Sequence, residues 1–119
     1  MKNNSPVTFY KALADETRLK TLLLILLEKE LCVCELMVAL DEESQPKISR
    51  HLAQLRNVNL LSTRKERQWV FYSINKDLDD WMQQVLLTTL NNNSVFVKTE
   101  QKRLALMGDR PTRIETCCA

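Results

Sequence analysis

Four cysteines are the residues of this chain best suited to chemistry, and they occur as two close pairs. Cys32 and Cys34 lie one residue apart in the stretch Glu-Leu-Cys-Val-Cys-Glu-Leu, and Cys117 and Cys118 are adjacent near the end of the sequence. Thiolates are soft ligands for soft metals and metalloids, and thiols are also readily oxidised. Metal binding, redox sensing and plain packing are therefore all open for these residues.

The spacing of the first pair raises a geometric problem. On a regular helix Cys32 and Cys34 would point about 200° away from each other. One ion can hold both thiols only if the first turn lies outside helical geometry or is pulled out of it. A helix N-terminus lowers the pKa of a nearby thiol, whereas the charges of Glu30 and Glu35 raise it. The sequence leaves that competition open.

The chain as a whole predicts one mainly α-helical unit with a single core. It has 119 residues, one glycine, three prolines and many leucines, a composition that favours helices over turn-rich sheet. Its N-terminus is polar, and its longest apolar run, residues 22–27, is far shorter than a membrane span. We therefore expect a cytoplasmic protein with no membrane partner, where reducing conditions argue against a disulfide framework.

Hydrophobic periodicity predicts three helices before the basic middle of the chain. The first covers residues 6–14, and the second, residues 16–29, is apolar on all sides and must be enclosed by its neighbours. The third covers approximately Val33–Leu40 and directs Leu36 and Leu40, which are four residues apart, inward. An acidic turn ends this third helix, and another helix follows at once.

The fourth helix, capped by Ser44, has one apolar stripe and one basic face. The inward stripe consists of Ile48, Leu52 and Leu55. The opposite face gathers four hydrogen-bond donors within an arc of about 100°, namely Lys47, Arg50, His51 and Gln54. Two short helices, a tight turn and a basic outward face predict a helix-turn-helix whose second helix enters the major groove of DNA.

A β-hairpin is predicted directly after this helix. Leu60–Thr63 and Trp69–Ile74 have the composition of strands, and a basic tip joins them, made of Arg64, Lys65, Arg67 and Gln68. Residues 46–72 carry six lysines and arginines against one acidic residue. We interpret the hairpin as a wing whose tip contacts phosphates, which adds salt-dependent affinity but little sequence information.

The last strong helical pattern covers residues 78–90 and predicts a dimer surface. Its apolar stripe is widened by Leu86, Leu87 and Leu90 beyond what packing on one side requires. Residues 1–90 are thus predicted to form a winged helix-turn-helix domain that binds DNA and dimerises. Residues 91–119 are predicted to be a tail, partly helical near residues 100–107, that carries the second cysteine pair.

Four stretches of the sequence together resemble a known family. Ala-Leu-Ala-Asp-Glu-Thr-Arg-Leu, Glu-Leu-Cys-Val-Cys-Glu-Leu, Ser-Gln-Pro-Lys-Ile-Ser-Arg-His-Leu-Ala-Gln-Leu-Arg and Trp-Val-Phe-Tyr-Ser-Ile are similar to the arsenic-responsive branch of the ArsR/SmtB winged-helix repressors. The resemblance covers approximately residues 8–90. It implies a homodimer that binds double-stranded operator DNA and leaves it when arsenite or antimonite, As(III) or Sb(III), binds. No constitutive cofactor is implied, and the operator is expected to be an inverted repeat because the dimer is two-fold symmetric.

The resemblance also assigns site residues by position. Cys32 and Cys34 match two ligands of the family's metalloid site. The DNA-facing residues of the recognition helix would be Gln45, Lys47, Ser49, Arg50, His51 and Gln54.

This sequence departs from the family pattern at three places. Met37 stands where a third cysteine often follows, and a thioether is a poor arsenite ligand. Asn59 and the run of residues 65–68 replace the usual glycines after the recognition helix and in the wing. The last helix lacks the zinc ligands of the zinc-sensing branch.

Trivalent arsenic and antimony prefer three thiolates, so two cysteines leave one position unfilled. Cys117 and Cys118 are the only other thiols of the chain, and either could complete the site within one subunit or across the dimer. Hydroxide or a cellular thiol could do so instead.

Two other functions compete with metalloid sensing. The same DNA-binding fold could respond to oxidation through a disulfide between the cysteine pairs. A small thiol enzyme, such as an arsenate reductase with Cys117 or Cys118 as nucleophile, is the alternative from another class. The sequence has no glycine loop for phosphate, and its single histidine, His51, lies on the predicted DNA face. We therefore expect no enzyme.

Overall fold

The first half of the chain forms four helices. The computed structural model describes the backbone of residues 5–117 and the side chains of residues 5–114. The helices are α1 (Pro6–Leu13), α2 (Glu16–Glu28), α3 (Val33–Leu40) and α4 (Gln45–Asn57). The first three lie within one residue of their predicted ends, and Ser44 caps α4 as expected.

The leucine run of α2 lies at the centre of the core. Leu22, Leu23, Leu24 and Ile25 are fully buried, which confirms that this helix is enclosed on several sides. Leucines from α3 and α4 belong to the same buried cluster. The helix-turn-helix is therefore packed directly on the core helix.

A small antiparallel sheet follows the helix-turn-helix and includes one strand that the sequence pattern did not predict. Strands β1 (Leu31–Cys32), β2 (Leu61–Glu66) and β3 (Trp69–Ile74) are arranged in the order β1-β3-β2. Cys32 pairs with Phe71 of β3. A two-residue strand has no periodicity of its own, so only the pairing reveals that the cysteine motif begins inside the wing sheet.

The wing hairpin is longer than predicted. Strand β2 continues through Glu66, so Arg64 and Lys65 lie in the strand and the turn itself is made by Arg67 and Gln68. Arg67 adopts a left-handed φ of 58°, and Asn59 a φ of 64°. These are non-glycine residues in the positions where glycine is usual, and the hairpin closes with them nevertheless.

Residues after the wing form three further helices and a short 3₁₀ turn. They are α5 (Asp80–Asn92), the 3₁₀ turn Ser94–Val97, α6 (Lys98–Leu106) and α7 (Thr112–Cys117). Val97 and Leu104 are buried in the same cluster as α2. The boundary at residue 90 between a DNA-binding domain and a tail stays a prediction. Within residues 5–117 no helix has the length and apolar character needed to cross a bilayer.

The N-terminal cap of α2 gives a test of this local structure. The Asp15 carboxylate accepts a hydrogen bond from the backbone N–H of Arg18 at 3.0 Å, the main cause of its lowered pKa. Asp15→Ala should reduce the free energy of unfolding by about 1 kcal/mol at neutral pH. A group with a lowered folded-state pKa stabilises above its unfolded pKa and loses that contribution as the pH falls. The difference in the free energy of unfolding between the natural chain and Asp15→Ala should therefore become smaller from neutral pH to about pH 2. Urea titrations at a series of pH values measure it.

Asp15→Asn is the matched control because asparagine also caps helices but does not titrate. Its stability relative to Asp15→Ala should not change over the same pH range. An Asp15→Ala deficit of equal size at every pH would contradict this account of the cap.

Candidate functional site

Helix α4 separates an apolar face from a polar face as the sequence predicts. Ile48, Leu52 and Leu55 are buried against the core. The Ser44 hydroxyl accepts a hydrogen bond from the Lys47 N–H at 3.3 Å, and Pro46 lies in the first turn, where its missing N–H breaks no helical bond. These local features fix where the helix begins and which side of it faces outward.

The predicted DNA-facing residues of α4 differ in how accessible they are. Four of them are exposed, namely Gln45, Lys47, Arg50 and Gln54, while Ser49 and His51 are half-buried. Lys47 forms an ion pair with Glu42 at 3.1 Å, and Gln54 accepts a hydrogen bond from Arg18 at 3.1 Å. Within the described chain the Nδ1 atom of His51 is buried without a hydrogen-bond partner.

Arg64 is exposed, but it lies within β2 and not in the turn at the hairpin tip. Its guanidinium pairs with Glu30 and with Glu66 and lies 4.7 Å from the centre of the Phe71 ring. These hydrogen bonds raise the pKa of Arg64, and those from Arg64 are the largest cause of the lowered pKa of Glu30. Arg64 thus joins the wing to the residues that precede α3. The remaining predicted wing residues, Lys65, Arg67 and Gln68, are exposed.

The two cysteines of the Cys-Val-Cys motif do not share one regular helix. Cys32 is the N-cap of α3, with extended backbone angles φ −97° and ψ 172°, and Cys34 is the second residue of the helix. The Cys32 side chain is buried, whereas Cys34 is half-buried and engaged in a disulfide bond. The 200° separation expected within a helix therefore does not apply to this pair, because its first member lies outside helical geometry.

A groove of about 690 Å³ opens beside this motif. It is lined by Cys32, Cys34 and Met37 of the α3 region, by Gln45 at the start of α4, and by Gln68 at the wing turn. Both predicted DNA-binding elements thus border the same cleft as the cysteines. A ligand held by these thiols would lie next to the start of the recognition helix and the wing.

The sequence indicated Glu35 only as a charge near the thiols, and its burial and hydrogen bonds were not expected. Its side chain is fully buried, and its Oε1 atom accepts a hydrogen bond from the backbone N–H of Cys32 at 2.9 Å. Arg110 and Arg113 also donate to this carboxylate, at 2.7 and 3.1 Å. The spacing of three residues between the N-cap and Glu35 is the signal of a capping box. No sequence pattern indicated the two arginines, which are 75 and 78 residues away.

The C-terminal helix returns to the cysteine motif. Ile114 of α7 is buried in a cluster with Cys32 and Phe71, and Cys34 and Trp69 pack against that cluster. The side chain of Cys117 and all of Cys118 lie outside the described residues, so these two predicted ligands have no described position. In the described part of the chain no group of three or more His, Cys, Asp or Glu side chains is arranged to hold a metal ion.

Helix α5 supplies less of the predicted dimer surface than its sequence suggested. Leu86 and Leu90 are buried in the core of the subunit, so they account for part of the apolar surplus without any partner. Leu87, Trp81 and the nearby Tyr10 of α1 remain substantially exposed. Phe9 and Tyr10 pack their rings against Trp81, which joins α1 and α5 into one partly apolar face.

Comparison with known proteins identifies the family of the chain. Residues 15–63 match the bacterial regulatory protein, arsR family. The chain is 48% identical over 114 residues to an arsenic resistance transcriptional regulator of Pseudomonas putida, which covers 96% of this chain and 98% of that protein. It is 49% identical over 81 residues to the arsenical resistance operon repressor of Escherichia coli, with 68% of each chain covered.

A solved structure agrees with these matches. HlyU from Vibrio cholerae superposes with a TM-score of 0.65 at 36% identity, covering 74% of this chain and 90% of that one. The relatives named above are transcriptional regulators. The chain therefore belongs to the arsR family of bacterial regulatory proteins and is a transcriptional regulator with a winged helix-turn-helix, not an enzyme.

Proposed function

We propose that this chain is an arsenite- or antimonite-responsive repressor, which binds operator DNA as a homodimer in the cytoplasm and leaves it when the metalloid binds cysteine thiolates. The observation that carries the proposal is the position of Cys32 and Cys34 in a groove that also borders α4 and the wing. The near full-length similarity to an arsenic resistance regulator supports the choice of inducer. Arsenic and antimony in the trivalent state are both soft and have the same preference for thiolates.

The metalloid site consists of Cys32, Cys34 and one C-terminal thiol, from Cys117 or Cys118. Arsenous acid exchanges its three hydroxyl groups for three thiolates. In each exchange the leaving hydroxyl group takes the thiol proton and departs as water. The packing of Ile114 beside Cys32 supports this ligand set because it brings α7 to the motif. Met37 lines the same groove but contributes a thioether, which does not replace a thiolate.

DNA release follows from a difference in metalloid affinity between two conformations. A ligand that binds both conformations with equal affinity does not change their populations. The metalloid must therefore bind more tightly to the conformation that binds DNA poorly. Cys32 belongs to both β1 and the N-terminus of α3, and α3 packs on α4 through the core. Drawing the two thiols onto one ion changes the start of α3, and this change reaches the recognition helix and the wing together.

Oxidation is a second candidate signal, supported by the disulfide bond of Cys34. A disulfide between Cys34 and a C-terminal cysteine would remove one metalloid ligand and fix α7 on the motif. An operator-binding assay distinguishes the two signals: arsenite releases reduced protein in the metalloid mechanism, and peroxide alone releases it in the redox mechanism.

Removing either thiol of the motif tests the inducer site. Arsenite should weaken operator binding by the natural chain between about fivefold and 150-fold, the usual range for coupling between two sites. Cys32→Ser and Cys34→Ser should bind the operator normally and show no arsenite response, because neither can form the complete site. The measurement is an operator titration by fluorescence anisotropy, with and without arsenite, under reducing conditions.

Met37→Leu is the matched control for those variants because it alters the same groove without removing a thiol. It should keep the arsenite response. A full response in both serine variants would rule out Cys32 and Cys34 as the inducer site.

Arg50 tests whether α4 is the recognition helix. Its exposed guanidinium can contact a base edge or a phosphate, and loss of a specific base contact costs about 1–3 kcal/mol. Arg50→Ala should therefore weaken binding to an operator selected from random duplexes by about fivefold to 150-fold, without changing the circular dichroism spectrum. Lys102→Ala removes one exposed positive charge from α6 and serves as the control. Equal losses in the two variants would mean that α4 does not read the groove.

Leu87 tests the proposed dimer surface. Leu87→Glu places a charge at an exposed position of α5, where burial against a second subunit would be costly. The variant should sediment as a monomer at concentrations where the natural chain is a dimer. Leu106 is the matched control because it is an exposed leucine on α6, at 87% exposure. A monomeric Leu106→Glu, or a dimeric Leu87→Glu, would exclude this surface.

A further inference from the structure

One arginine connects the end of α1 with the polar face of α4. The Arg18 guanidinium donates from Nε to the Ala12 carbonyl oxygen at 2.8 Å and from Nη2 to the Lys11 carbonyl oxygen at 3.1 Å. Both carbonyls belong to the last turn of α1, where the negative end of the helix dipole favours a cation. The remaining Nη1 group donates to the Oε1 atom of Gln54 at 3.1 Å. Arg18 thus bonds to two elements at once from its place at the start of α2.

These bonds hold Arg18 in one orientation. Its side chain is only 18% exposed, and its backbone N–H donates to the Asp15 carboxylate at 3.0 Å, which caps α2. Turning the guanidinium away from Gln54 would also break its bonds to α1, and hydrogen bonds from a charged donor are stronger than neutral ones. Gln54 therefore lies beside a fixed donor.

The contact with Arg18 determines how the amide of Gln54 points. A guanidinium has donors but no acceptor, so the amide atom next to Arg18 must be the oxygen and not the nitrogen. With Oε1 turned toward Arg18, the Nε2 donor is the amide atom left for a partner outside the chain. Gln54 is exposed and lies four residues after Arg50, on the predicted DNA-facing side of α4.

This orientation restricts which base Gln54 can recognise in the major groove. Glutamine recognises adenine with both amide atoms, because Oε1 accepts from the N6 amino group while Nε2 donates to N7. In this chain that pairing would either break the bond to Arg18 or bring the adenine amino group beside a cationic donor. Guanine presents two acceptors, O6 and N7, so the outward Nε2 group can donate to it without moving.

We propose that Arg18 is a positioning residue, which orients the amide of Gln54 so that the regulator selects a G·C pair over an A·T pair at one position of each operator half-site. This inference rests on the proposed function because it requires α4 to lie in the major groove. It involves neither the metalloid nor the cysteines.

Gln54→Ala identifies the base pair that Gln54 reads. An operator is selected from random duplexes, and its affinity and those of its single-base-pair variants are measured by fluorescence anisotropy with the full-length chain and without arsenite. For the natural chain, changing G·C to A·T at one position of each half-site should weaken binding by about fivefold to 150-fold. Gln54→Ala should lose this difference and keep the preferences at the other positions.

Arg18→Met separates the orientation of Gln54 from general stability. It frees the amide oxygen, so at that position the A·T pair should bind as well as the G·C pair or better. A merely structural role would lower the affinity for every sequence alike and leave the base preference unchanged. Arg103→Met is the matched control, because Arg103 is also a half-buried arginine that donates to a carbonyl in the last turn of a helix, that of Ala39 at 2.9 Å. It should keep the preference for G·C.

Gln54→Glu is the second variant and tests the same geometry if Arg18→Met does not fold. One carboxylate oxygen keeps the bond to Arg18 and the other presents an acceptor to the groove. The preference should therefore change from G·C to C·G, because the cytosine N4 amino group is a donor.

Three results would overturn this inference and leave the repressor function intact. They are a Gln54→Ala variant that weakens binding to all base pairs alike, a folded Arg18→Met variant that still prefers G·C over A·T, and a Gln54→Glu variant that still prefers G·C over C·G. Binding without any sequence preference in the natural chain would instead reject the proposed function, and this inference with it.

Discussion

The carboxylate of Glu35 is fully buried and paired with two arginines, and much of the arrangement around the cysteines follows from that combination. A buried charge is tolerated only when it is paired and hydrogen-bonded, because its water shell has been removed. Glu35 meets this requirement with the Cys32 N–H and with two arginines that are distant in sequence. The C-terminal segment must therefore return to the N-terminus of α3, and α7 packs there through Ile114.

Cys32 is the point where this arrangement meets the DNA-binding elements. It pairs with Phe71 in the wing sheet, it caps α3, and it borders the groove that reaches Gln45 of α4. The Phe71 ring also lies near the guanidiniums of Arg64 in the wing and Arg110 in the C-terminal segment. A change in the geometry of Cys32 therefore affects sheet pairing, the helix start and the groove at once. Tightly packed interiors transmit such changes between discrete arrangements rather than absorbing them gradually.

Local sequence patterns predicted the buried stripe of the recognition helix correctly but did not predict contacts between distant segments. The inward stripe of Ile48, Leu52 and Leu55 is confirmed because a period of 3.6 residues alone decides which side of a helix is apolar. Arg64 shows the limit of the same reasoning. Its phosphate contact stays a prediction, whereas its ion pair with Glu30 joins residues 34 apart in the sequence, which no local rule connects. Leu86 and Leu90 were likewise assigned to a dimer surface, although they are buried within the subunit.

The sequence by itself determined the helical class, the helix-turn-helix with its wing and the outward face of α4. These depend on periodicity and capping residues, both of which act over a few neighbouring residues. Only the tertiary structure decided that Cys32 lies outside the helix, that Glu35 is buried, and that Arg110 and Arg113 pair with it. The physical reason is that burial and charge pairing depend on which segments, distant in sequence, pack together in space. Local sequence patterns do not show which segments those are.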